Sequence, residues 1–165
     1  MCEQDYISVQ TADFDLNQQV LALRSDQPGI GAVVSFVGLV RDVADGERVS
    51  QMELEHYPGM TERALTEIVA QARQRWELQG VRLIHRVGTL NLQEQIVLVA
   101  VASKHRGAAF AACEFIMDYL KTAAPFWKKE YTEHGAKWVD ARVSDDQALA
   151  RWGIASTNAV AGAQA

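Results

Sequence analysis

Three lysines, Lys121, Lys128 and Lys129, fall within nine residues of one another around Ala-Ala-Pro-Phe-Trp in the stretch MDYLKTAAPFWKKE, Met117 to Glu130. Ammonium groups gathered at a turn can hold an anion or stabilise an oxyanion as it forms. Pro125 cannot continue a helix, so the preceding apolar pattern must end there and place Lys121 in its last turn. A cation at that position also offsets the free helix carbonyls, by about 0.3–1 kcal/mol, so capping and anion binding both account for Lys121. Lys128 and Lys129 are neighbours in a predicted strand and point to opposite faces. Only one of them can join Lys121, and the spacing leaves open which.

Other cations sit at element ends. His105 and Arg106 follow an apolar strand directly and precede a helix, where backbone N–H groups and a cationic side chain together can hold an oxyanion; a solvated loop accounts for them equally. Arg41 lies just past the apolar run VVSFVGLV, a position open to an ordinary surface arginine as well as to a ligand contact. His56, before Pro58-Gly59, and His85, inside an apolar strand, read as structural. The four histidines show no HxH or HxxxH spacing and there is no CxxC, so no metal site and no cofactor is expected. Cys113 lies within a helical apolar stripe and reads as an inert core thiol. No GxSxG, P-loop or GxGxxG is present.

The chain has 165 residues, 48% of them hydrophobic and 22% charged, which suits one folded domain. Its net charge of −5 disfavours a general nucleic-acid surface, since such binding draws on neutralised phosphates. The segment from Lys104 to Lys129 is nevertheless +3, leaving −8 for the rest, and that local field suits a small anion. Two cysteines, Cys2 and Cys113, make no disulfide framework. With no secretory leader pattern and no apolar run of membrane-spanning length, a reduced, cytoplasmic protein without membrane contact is expected.

The elements that must position these groups follow from periodicity. Asp13 or Asp15 can cap a short helix burying Leu16, Val20 and Leu23. Strands are predicted at Ile30–Val40, Val49–Tyr57 with a possible bulge, Val81–Val87, Gln95–Ser103, Phe126–Tyr131 and Lys137–Val143, the last two as a hairpin through Thr132–Gly135. Arg41-Asp42 and Asp45-Gly46 read as a turn or mobile loop, and Gly88–Glu94 is short enough for a hairpin-type connection. One long helix is expected from Met60 to Trp76, with an apolar stripe beginning at Met60. A second runs from about Ala108 to Thr122, burying Phe110, Cys113, Ile116, Met117 and Leu120. The sum is a single α+β domain over residues 1–152, with two main helices, about six strands and a C-terminal hairpin; residues 153–165 read as a flexible tail.

Taken in order, GAVVSFVGLVRD, MELEHYPGMTERALTEIV, HRVG, SKHRGAAFAACEFIMDYLKTAAPFWKKE and KWVDAR resemble the large, catalytic subunit of molybdopterin synthase, from Gly31 to Trp152. The resemblance implies an α/β-hammerhead fold and a homodimer within a two-plus-two heterotetramer. The partner is a small ubiquitin-like sulfur carrier whose Gly-Gly tail ends in a thiocarboxylate. Two such sulfurs convert cyclic pyranopterin monophosphate, the pterin phosphate substrate, into the dithiolene of molybdopterin. By motif, Lys121 and Lys128 are the implied catalytic lysines. Arg41, His105, Arg106, Lys129, Glu130 and Arg142, with Leu39 and Val40 before Arg41, are the implied substrate contacts. Leu39 stands where relatives often carry a polar or basic residue. The chemistry suits the residue types, because two anions must meet and cations offset their repulsion. The same cations in a non-catalytic module could bind an anion or a protein tail, and a Schiff-base lysine enzyme would need a lysine in an apolar pocket and a carbonyl substrate.

Overall fold

The structure, a computed structural model, describes residues 4–139 and 143–154. Two sheets and four helices are built in the order β1 (Tyr6–Gln10), α1 (Leu16–Arg24), β2 (Ala32–Leu39), β3 (Val43–Ala44), β4 (Glu47–His56), α2 (Met60–Arg75), β5 (Gly80–Arg86), β6 (Gly88–Asn91), β7 (Gln95–Ser103), α3 (Arg106–Ala123), β8 (Phe126–Thr132), β9 (Gly135–Val139) and α4 (Val143–Ala150). The first sheet has the order β1-β5-β7-β2, with β1 parallel to β5 and the other pairs antiparallel. The second has the order β3-β4-β8-β9, with β6 added against β4.

Strand β7 explains why its sequence is apolar throughout. Val97, Val99 and Val101 face α2 and α3 in the main core, with Leu65, Ile68, Phe115 and Ile116. Leu98, Ala100 and Ala102 face the other way, against Phe14 and Leu23 beside α1. Both faces of a central strand are thus covered, and the period-two alternation is hidden by burial on each side. Helix α1 starts where a cap was expected: Asp15 Oδ1 accepts the Gln18 N–H at 2.8 Å.

Several expectations are corrected. Among the described residues nine strands form where about six were expected, the additional ones being β1, β3 and β6. Of the turn and the mobile loop, the turn forms at Asp45-Gly46: Val43 and Ala44 pair with Arg48 and Glu47 around these two residues, whose φ angles of 51° and 82° suit a two-residue hairpin turn. The last predicted strand stops at Val139, and Val143 opens helix α4. On α3 the buried face runs through Ala109, Ala112, Cys113 and Ile116, which turns Phe110 outward to 62% exposure. Met60 is likewise exposed, and Thr61 is buried in its place, its hydroxyl donating to the Tyr57 carbonyl at 3.0 Å and accepting the Tyr57 N–H at 3.1 Å. The packed region reaches Ile154, which lies against the main core; the rest of the expected tail is outside the described residues.

Candidate functional site

Chain direction places the cations. Strand β2 is antiparallel to β7, with Ala32 opposite Ser103 and Leu39 opposite Gln95. Helix α3 leaves the Ser103 end of β7 and returns along the sheet, so Lys121 arrives at the Leu39 end of β2. Arg41 is exposed just beyond that end. A register shift between Gly38 and Leu39 redirects the strand there, as bulges beside sites commonly do. After Pro125, β8 begins at the same end, and Lys128 stands opposite Leu54. Leu54 and Val40 belong to one small core with Met52 and Leu90. Arg41, Lys121 and Lys128 therefore share one end of the molecule.

His105 and Arg106 do not join them within one chain. They begin α3, and Lys121 lies fifteen residues further on, roughly 22 Å away along the helix axis. Both are exposed, and with Lys104, Gly31 and Ala32 they line a separate cavity.

Lys121 borders a cavity of about 480 Å³ between α3 and the edge strand β2, walled by Val34, Phe36, Phe110 and Met117. Three carboxylates, Glu114, Asp118 and Asp145, line it too. Lys121 Nζ is 3.9 Å from Asp145 Oδ1. Arg151 offsets the others, its Nη2 lying 3.2 Å from Glu114 and 3.1 Å from Asp118, and the Trp152 indole N–H donates to Asp118 at 2.8 Å. Trp152 is fixed in turn by edge-on contacts with Trp76 and Phe115. Sequence reasoning missed these acids. The spacing of Glu114 and Asp118 with Lys121 on one helix face was available as a signal; the approach of Asp145 on α4 was not.

On β8, Lys128 and Glu130 project to the inner face, where Lys128 Nζ is 3.3 Å from Glu130 Oε1 and Glu130 is buried. Lys129 projects to the outer face, its Nζ 5.4 Å from the ring centres of both Tyr131 and Trp138. The strand period thus puts Lys128, not Lys129, on the side of the core. Leu39 is half exposed, whereas Val40 is buried and both its backbone groups are paired, to the Glu94 carbonyl and the Gln93 N–H. The Val40 side chain packs the small core. Arg142 lies outside the described residues.

The remaining candidates are structural. His85 is buried and stacks on Phe126 at 3.8 Å, with Nδ1 2.8 Å from the Arg86 carbonyl. Burial lowers its pKa to about 4; the Arg86 carbonyl opposes that and His56 adds to it. Burial pushes the Cys113 thiol up to about 11, with Glu114 contributing. Among the described residues no group of three His, Cys, Asp or Glu could hold a metal ion, and no helix is long and apolar enough to cross a membrane.

Comparison with known proteins gives the family. Residues 9–123 match the family model described as MoaE protein. The molybdopterin synthase catalytic subunit of Ralstonia nicotianae is 67% identical over 155 residues, covering 94% of this chain and 88% of that one. Among solved structures, the molybdopterin biosynthesis MoaE protein of Burkholderia ambifaria superposes with a TM-score of 0.78 at 59% identity, covering 91% of this chain and 99% of its own. Molybdopterin synthase from Staphylococcus aureus gives a TM-score of 0.75 at 30% identity, covering 85% and 99%.

Proposed function

The chain belongs to the MoaE family of molybdopterin synthase catalytic subunits, and on that footing we propose that it moves sulfur from a thiocarboxylated ubiquitin-like carrier onto cyclic pyranopterin monophosphate, forming the dithiolene of molybdopterin. The observation that carries the reading is Lys121 and Lys128 on either side of the Pro125 turn, at one end of a chain with this ancestry. A catalytic subunit implies a second subunit, and the small carrier is the partner whose tail reaches Lys121. The reaction belongs in the cytoplasm, where reduced thiols such as the free Cys113 persist.

In each transfer the carrier's thiocarboxylate sulfur bonds to a substrate carbon as that carbon gives up a C–O bond, the oxygen leaving either on the phosphate as the cyclic ester opens or as water from a carbonyl, and the two molecules are joined as a thioester. Water then adds to the acyl carbon, the C–S bond to the carrier breaks, the carrier leaves as a carboxylate, and the sulfur stays on the pterin as a thiolate. The sulfur is the nucleophile, so the inert Cys113 is no obstacle. Lys121 orients the thiocarboxylate and exchanges a proton as the thioester is hydrolysed. Lys128 stabilises the oxyanion at the acyl carbon, held in place by Glu130. Arg41 supplies a guanidinium for phosphate at the same end.

The roughly 22 Å between Lys121 and His105–Arg106 supports a homodimer in which that pair serves a site completed by the other copy. Lys121 also sits among carboxylates in the single chain, so added cations are needed before two anions can meet there. The test combines purified protein, thiocarboxylated carrier and cyclic pyranopterin monophosphate and assays the dithiolene product. Product should form with the wild type and vanish with Lys121→Ala while carrier binding persists. A folded wild type that makes none would overturn the reading.

A further inference from the structure

Gly31 and Ala32, at the start of β2, form the common wall of two adjoining cavities. One, of about 420 Å³, is lined beyond them by Lys104, His105, Arg106 and Gly107. The other, of about 360 Å³, lies on the α1 side and takes in Arg24. Backbone meets backbone at this strip: a Cβ at Gly31 would stand 2.3 Å from the Lys104 carbonyl oxygen. Among the described residues no carboxylate lines either cavity, Asp26, two residues beyond Arg24, included. The side chains of Arg24, Lys104 and Arg106 are exposed and have no ion-pair partner among the described residues. His105, in the cap position of α3, makes no side-chain capping bond.

An acidic protein has thus left four groups able to carry positive charge uncompensated around one strip of strand, while it surrounds Lys121 with three carboxylates. Uncompensated cations from separate elements create a local positive field, and that field draws in an anion of matching size. The α1 side and the loop before α3 each supply part of it, so a ligand spanning the strip would be held at two points.

We propose that Arg24 and Lys104 extend the anion site at His105 and Arg106 across the Gly31–Ala32 strip, forming the surface that captures and orients the phosphate-bearing pterin substrate. The proposal rests on the function given above and adds to it two residues that the family resemblance does not supply. Arg106 and His105 hold the phosphate, and Arg24 and Lys104 fix the direction from which the ring system enters. They are binding residues and take no part in proton or sulfur transfer.

The test uses the full chain with its carrier and the variants Arg24→Gln, Lys104→Gln and the double variant. The KM for the pterin phosphate should rise about threefold in each single variant, as expected for one exposed charge contact, and about tenfold in the double. The kcat and the carrier affinity should hold, and Lys104→Arg should restore the KM. Inorganic phosphate, followed through the Gly31 and Gly107 amide resonances, should bind the wild type and bind the double variant more weakly. An unchanged KM and unchanged phosphate titration in the double variant would overturn the proposal. A wild type that binds phosphate at these amides but forms no dithiolene would leave the surface standing and remove the catalytic reading instead.

Discussion

Lys128 and Glu130 form an ion pair of 3.3 Å on the inner face of β8, and Lys129 between them turns outward onto Tyr131 and Trp138. The two lysines of one dipeptide therefore have different surroundings. Lys128→Ala should lower the rate of dithiolene formation by about a hundredfold or more, the usual loss when a group aimed at a developing oxyanion is removed. Lys129→Ala should leave the rate within about threefold and cost about 0.5–1 kcal/mol of stability through its lost ring contacts. Equal losses of rate in single-turnover assays would show that the strand period does not decide the roles.

Asp5 anchors the start of the chain. Its carboxylate, fully buried, pairs with Arg73 of α2 and accepts the Val81 N–H at 3.0 Å, tying three segments together. Arg73 also donates to the Leu78 carbonyl at 2.6 Å. Asp5→Ala breaks a pair between a fully buried carboxylate and a largely buried guanidinium, a loss that costs about 3–5 kcal/mol. Urea unfolding should show a midpoint shift of that size with activity per folded molecule retained.

What could be read from the sequence divides along physical lines. The two long helices, the proline stop and the pairing of β8 with β9 follow from local patterns and form, while Met60 and Phe110 leave the expected apolar stripes and β9 begins two residues earlier than expected. Strand β1 was not legible because its partner β5 lies more than seventy residues away and pairs in parallel, with no turn between them to mark it. The β3 hairpin was legible in Asp45-Gly46 but too short to show alternation. For the site, a period of two separates Lys128 from Lys129 once the inner face is known. The carboxylates around Lys121, and the distance from there to His105, depend on how elements dock and on where a helix ends, which no spacing within one motif records.

Gly31 is required by a close approach rather than by its backbone angle. With a Cβ placed 2.3 Å from the Lys104 carbonyl oxygen, Gly31→Ala forces the β2 start away from the loop before α3. Overpacking of this kind costs about 1–3 kcal/mol. The denaturation midpoint should fall accordingly, and the KM for the pterin phosphate should rise with it, because the wall between Arg24 and Lys104 has moved. The same change at Gly29, where a Cβ meets nothing within 4 Å, should do neither.

His85 makes stability depend on acid. Its pKa falls from 6.5 to about 4 in the folded protein, chiefly because burial penalises the imidazolium. The unfolded chain therefore binds a proton between those values that the folded chain refuses. Stability from this group is complete above about pH 6.5 and is lost as the pH falls toward 4, by about 3 kcal/mol in all. Glu94, whose pKa is lowered first by the Asn91 N–H, and Asp13, lowered by Gln95, Phe14 and Arg86 against the effect of burial, lose their contributions in the same direction at still lower pH. His85→Phe keeps an aromatic ring against Phe126 but cannot titrate. Its unfolding free energy, measured by urea at intervals from pH 7 to 4, should decline less steeply than that of the wild type. Parallel curves for the two proteins would mean that the buried imidazole is not the source of the acid sensitivity.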